Sequence, residues 1–133
     1  MNRCVVSAVV MFIMAFALSF FVHGVLLNAD YTAMQSWMRP QADAHGLIYI
    51  MIIAQALFGI AFAWIYVQGR EDKPWLMQGV RYGLAIAALA IVPTYLIYHV
   101  VTPVPFVVAL KQIVYDTVRV VLMGIVLAWI NRA

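Results

Sequence analysis

Four long apolar runs dominate this chain and leave little choice of solvent. They cover about residues 5–27, 46–68, 74–101 and 105–130. Each is long enough to cross roughly 30 Å of hydrocarbon at about 1.5 Å of helical rise per residue. Hydrocarbon offers no partner to a backbone N–H or C=O, so only helices and closed barrels cross it. The runs lack the apolar–polar alternation of barrel strands, which excludes a membrane barrel. The expected fold is all-α: an integral membrane four-helix bundle, one domain over residues 1–133, with a short interfacial helix in the first extramembrane loop.

Composition agrees. Of 133 residues, 67% are hydrophobic and 10% charged, whereas a soluble domain carries about a quarter charged residues. A soluble globule this small could not bury that much apolar side chain, and a disordered chain would not contain it. The single cysteine, Cys4, forms no internal disulfide, and no zinc-type spacing exists. The net charge of +3 is small and is spread over both ends and one loop. It reads as membrane topology, with no nucleic-acid partner. The first run is too long for the core of a signal peptide and is read as a retained helix.

Basic residues orient the bundle. Arg3, Arg70, Lys73, Arg81 and Arg132 fall at the termini and the second connector, against Arg39 on the other side. The excess belongs in the cytoplasm, so both termini are expected there. Trp64, Tyr66, Trp75, Tyr82 and Trp129 then read as a cytoplasmic aromatic belt, with Tyr31, Trp37 and Tyr49 near the opposite face. In the long first loop, Tyr31, Met34, Trp37 and Met38 recur at helical spacing. Asp30 reads as an N-cap and Arg39-Pro40 as a stop. An amphipathic surface helix follows, either an ordinary interfacial segment or a lid.

Inside lipid the polar residue is the informative one. Three stripes at helical spacing face the bundle interior: Ala15, Ser19 and His23; Met51, Gln55, Gly59 and Ala63; and Gly83, Ala87, Ile91, Tyr95 and His99. Small residues fill the cytoplasmic halves and read as packing. The outer halves carry His23, Gln55, Tyr95 and His99, with His45 at the mouth. The fourth run adds Lys111, Gln112, Tyr115, Asp116 and Arg119 within an arc of about 140°. Arg119 lies roughly 21 Å along that helix, near the midplane, where a charge costs about 2.5–3.5 kcal/mol on insertion scales. Asp116 and Arg119, at i and i+3, can pair, leaving Lys111 to snorkel outward or to face a cavity. Pro93 breaks the hydrogen bond to the Leu89 carbonyl and should kink the third helix.

The order Phe21-Val-His-Gly-Val-Leu-Leu27, Tyr31, Trp37-Met38, Gly79, Gly83, Val92-Pro-Thr-Tyr-Leu96, Val121-Leu-Met-Gly124 and Ala128-Trp129 resembles that of small four-helix bacterial membrane proteins grouped as domains of unknown function. The connector Gly69-Arg-Glu-Asp-Lys-Pro-Trp75 is similar to that of a narrower uncharacterised set. The resemblance implies four helices and a bacterial inner membrane, and it carries no catalytic residue.

Four functions compete. The first is a periplasm-facing cavity that binds or helps transport a small polar or anionic ligand, lined by His23, Gln55, Tyr95, His99, Lys111, Tyr115, Asp116 and Arg119. The second is an accessory subunit of a homo-oligomer or larger membrane complex. The third is a haem module with His23 and His99 as axial ligands. The fourth is a membrane enzyme, for which no nucleophile stands out. No cofactor is assigned.

Overall fold

The computed structural model describes residues 2–132. Among them every regular element is a helix, and there is no strand. Four helical stretches are long and apolar enough to cross a membrane: Arg3–Leu26, Ile48–Gly69, Trp75–Val101 and Phe106–Ile130. They are called spans one to four. Their ends lie within two residues of those read from hydropathy.

Span one is α1 (Arg3–Phe21) followed by a π-helical turn, Val22–Leu26. Asn2 caps it, its side chain accepting the Cys4 N–H at 2.9 Å. The π turn closes with Leu27 N–H on the Val22 carbonyl at 2.9 Å. Span two is α4 (Ile48–Gly69). Span three is α5 (Trp75–Ile86), a second π turn (Ala87–Ile91) and α6 (Val92–Val101). Span four is α7 (Phe106–Ile130), unbroken. The expected disturbance at Pro93 takes the form of this π turn. Proline offers no N–H and its ring crowds the carbonyl four residues back, and the wider turn relieves both problems.

The first loop departs from expectation. It is not one amphipathic helix ending at Arg39-Pro40. It forms α2 (Asn28–Ala33), a 3₁₀ turn (Gln35–Trp37) and α3 (Gln41–Gly46). Asp30 lies inside the first turn of α2 rather than capping it. Met34 adopts φ −104° and ψ 18° and ends the first piece. Pro40, extended at ψ 144°, starts the last.

The spans pack in the order two, one, four, three. Span four, the most polar, is the most buried. At the end bearing the termini, close packing depends on glycine. A Cβ on Gly79 would lie 2.6 Å from the Gly124 carbonyl oxygen, and one on Gly59 would lie 2.6 Å from the Phe12 nitrogen. Met11, Phe62, Val120, Met123 and Leu127 fill the core between. Tyr66 and Tyr82 join that core instead of the aromatic belt. Tyr66 is 5% exposed, and the Tyr82 hydroxyl donates to the Phe62 carbonyl at 2.5 Å. A buried phenol needs such a partner. Trp64 and Trp129 are exposed.

Candidate functional site

The polar residues of the other end, where the first loop crosses the bundle, meet around one carboxylate. Asp116 is 1% exposed and Arg119 is 7% exposed. A buried charge survives only if it is paired and hydrogen-bonded, and Asp116 is both. Tyr95 donates its hydroxyl to Oδ2. His23 Nε2 lies 3.1 Å from the same oxygen. Arg119 Nε sits 3.1 Å from Oδ1. That last contact is an ion pair without hydrogen-bond alignment, since both atoms lack a hydrogen-bond partner. Arg119 instead donates from Nη1 to the Ala15 carbonyl at 3.3 Å. Its guanidinium lies 5.3 Å from the Phe58 ring centre, a cation–π contact.

The network continues toward the loop. His23 Nδ1 and the Tyr31 hydroxyl are 2.6 Å apart, with the two rings stacked at 5°. Gln112 Nε2 donates to the Tyr31 oxygen at 3.0 Å. Counting donors gives one self-consistent assignment for a neutral imidazole. Tyr31 O–H donates to Nδ1, Nε2–H donates to Asp116, and the Tyr31 oxygen accepts from Gln112. Tyr31 holds its proton above the ordinary tyrosine range, chiefly through burial. The Gln112 hydrogen bond opposes that rise, while the Asp116 and Asp30 charges add to it.

Both π turns adjoin this cluster. His23 lies in the first, and Tyr95 follows the second by one helical turn. A π turn offsets the residues after it from regular helical phase, and such turns concentrate at functional sites.

Lys111 does not stand alone. Its Nζ lies 3.2 Å from each carboxylate oxygen of Asp30 in α2. Every cation in this cluster therefore faces a carboxylate. The remaining residues expected at the site lie outside it. Gln55 donates to Ser19 at 3.0 Å, joining spans one and two. His99 Nδ1 meets the carbonyl of Val104 at 2.8 Å, and its ring packs on Phe106. Thus His23 and His99 serve separate contacts. Tyr115 is half-buried, outside the hydrogen-bond network. Among the described residues no group of three or more His, Cys, Asp or Glu side chains could hold a metal ion.

Asp30, Tyr31 and Gln112 escaped the site reading. Charge balance offered the available signal: Lys111 needed an acid, and Asp30 and Asp43 are the first loop's two acids.

A cavity of about 410 Å³ opens beside the cluster, between the first loop and spans three and four. Met34, Trp37 and Met38 roof it, with Tyr98 and Pro103 on its walls. Tyr95 and Gln112, both network members, also line it. The wall is therefore mostly apolar, with hydrogen-bonding groups at a few points.

No family model, curated protein or solved structure matches the chain.

Proposed function

We propose that this protein is a multi-pass protein of a bacterial inner membrane, with both termini cytoplasmic, that binds a small molecule in the cavity beneath its first loop. The cavity then faces the periplasm, and the 28–38 segment lies at the membrane surface as its roof. The observation that carries the proposal is the sharing of Tyr95 and Gln112 between the cavity wall and the Asp116 network. A ligand there touches Tyr95, which holds the buried charge, and Gln112, which holds Tyr31. Both Lys111 and Arg119 already face carboxylates, so an anion would have to displace one. The apolar walls favour a small amphipathic molecule with one hydrogen-bonding group, in place of the polar or anionic ligand expected from the sequence.

Native mass spectrometry of protein extracted gently from its own membrane tests this. The expected result is a co-purifying small molecule that is lost in Trp37→Ala and weakened in Gln112→Leu. A bound molecule unaffected by either change would overturn the assignment.

A second reading is an accessory subunit of a membrane complex. It is supported by span two, whose residues from Ile48 to Ala54 are all exposed, leaving that segment bare toward lipid or a partner helix. Crosslinking from Ile53 in native membranes would capture a discrete partner in that case.

A further inference from the structure

The end of the bundle bearing the termini holds the larger cavity, about 580 Å³. It lies where spans two and four end and spans one and three begin. Arg3, Arg70, Lys73 and Arg132 line it together with Glu71 and Asp72. Lys73 is ion-paired with Glu71, so among the described residues three guanidiniums remain against Asp72. Among the described residues, none of the three faces a carboxylate within ion-pair distance.

Two of the guanidiniums are held in place by backbone. Arg3 donates to the Arg132 carbonyl at 2.8 Å, and Arg70 donates to the Asn131 carbonyl at 2.6 Å. Capping the last carbonyls of a helix explains one N–H from each. An arginine carries five, so most donors stay available while the fork is fixed. Arg132 lies 4.8 Å over the Trp129 ring. Asn131 is anchored in turn by its side-chain bonds to Ser7 and Leu127, both at 2.9 Å. The connector beside it is pinned by Gln78, whose amide bonds the Glu71 and Lys73 carbonyls at 2.7 and 2.8 Å. The floor is apolar and aromatic, with Tyr66, Trp75 and Ala128.

We infer that this pocket seats the phosphate of an anionic phospholipid. Oriented guanidiniums match phosphate oxygens through paired N–H donors. A basic pocket at the end of apolar helices meets lipid at headgroup depth. The apolar floor suits the glycerol and first acyl carbons below the phosphate.

The test uses the full chain in bilayers containing spin-labelled phosphatidylglycerol or phosphatidylcholine, with the motionally restricted fraction as readout. Phosphatidylglycerol should associate preferentially. Arg70→Gln, Arg3→Gln and Arg132→Gln should each lower that preference about fivefold, from the attraction of one basic residue to an anionic surface. Arg39→Gln removes the same charge at the opposite end and should leave it unchanged. Should Arg70→Gln fail to fold, Arg132→Gln carries the test, since its side chain rests on Trp129 alone. Equal association of the two lipids, or equal loss in Arg39→Gln, would overturn the inference. Displacement of the lipid by millimolar inorganic phosphate would assign the pocket to free phosphate and overturn the lipid assignment.

Discussion

The two ends of this bundle tolerate charge in opposite ways. At the loop end, the two cations of span four each face a carboxylate, Arg119 with Asp116 and Lys111 with Asp30, and one pair is almost fully buried. At the terminal end, Arg3, Arg70 and Arg132 face backbone and aromatic groups at the edge of the bundle. Packing differs in parallel. The terminal half brings backbones together through Gly59, Gly79, Gly83 and Gly124. The loop half is wider, with π turns in spans one and three and a cavity under the loop. In the membrane orientation proposed above, depth accounts for the difference. Charge within the span must be neutralised internally, whereas charge at a helix end can reach water or headgroups.

The largest expected effect tests the buried pair. Arg119→Gln should cost about 3–5 kcal/mol, because Asp116 keeps a buried charge without its cation. Equilibrium unfolding in a fixed bilayer or detergent reads this directly. A loss under about 1 kcal/mol would mean that this end tolerates charge as the other does.

Packing comes next. Gly83→Ala should destabilise by about 1–3 kcal/mol, the usual cost of overpacking, since its Cβ would lie 2.5 Å from the Val121 Cα. Gly24→Ala, at the loop end, meets only Phe20 at 3.5 Å and should change stability by less than about 1 kcal/mol. Equal effects would erase the packing contrast.

Lys111→Met should be mild, about 0–1 kcal/mol, because the Lys111 side chain is 43% exposed and its ion pair is screened. The change should nevertheless release α2, read as faster hydrogen exchange over Asn28–Ala33.

The smallest effect is set by pH. Tyr31 holds its proton above its ordinary value of 10.0. Its stabilising contribution is therefore complete below that value and is lost as pH rises through it toward the folded value. Tyr31→Phe should flatten the alkaline decline in stability relative to the parent chain. Parallel declines in the two proteins would show that Tyr31 is not held this way.

Much of the bundle was legible because hydropathy and helical period are local properties. The four spans follow from run length, and the Asp116–Arg119 pair follows from i, i+3 spacing. Gly59 and Gly83 were placed facing inward by their stripes, as observed. The Lys111–Asp30 pair was legible only as a need for an acid, because the path of the loop out of span one decides between Asp30 and Asp43. His99 shares its stripe with Tyr95, yet it sits one turn further out, where the short connector folds back and brings the Val104 carbonyl to it. Tyr66 and Tyr82 read as interfacial by position, but their rings meet at 5.4 Å inside the core. Nor does sequence mark the π turn at Val22–Leu26, which contains no proline.

The central claim is that the buried charges of the loop end form one mutually compensating unit. A double-mutant cycle of Asp116→Asn and Arg119→Gln, by equilibrium unfolding in one bilayer composition, tests it most directly. The two single changes should cost more in sum than the double change, by an interaction of about 0.5–3 kcal/mol. Strictly additive losses would contradict the claim and mean that Asp116 and Arg119 are stabilised independently.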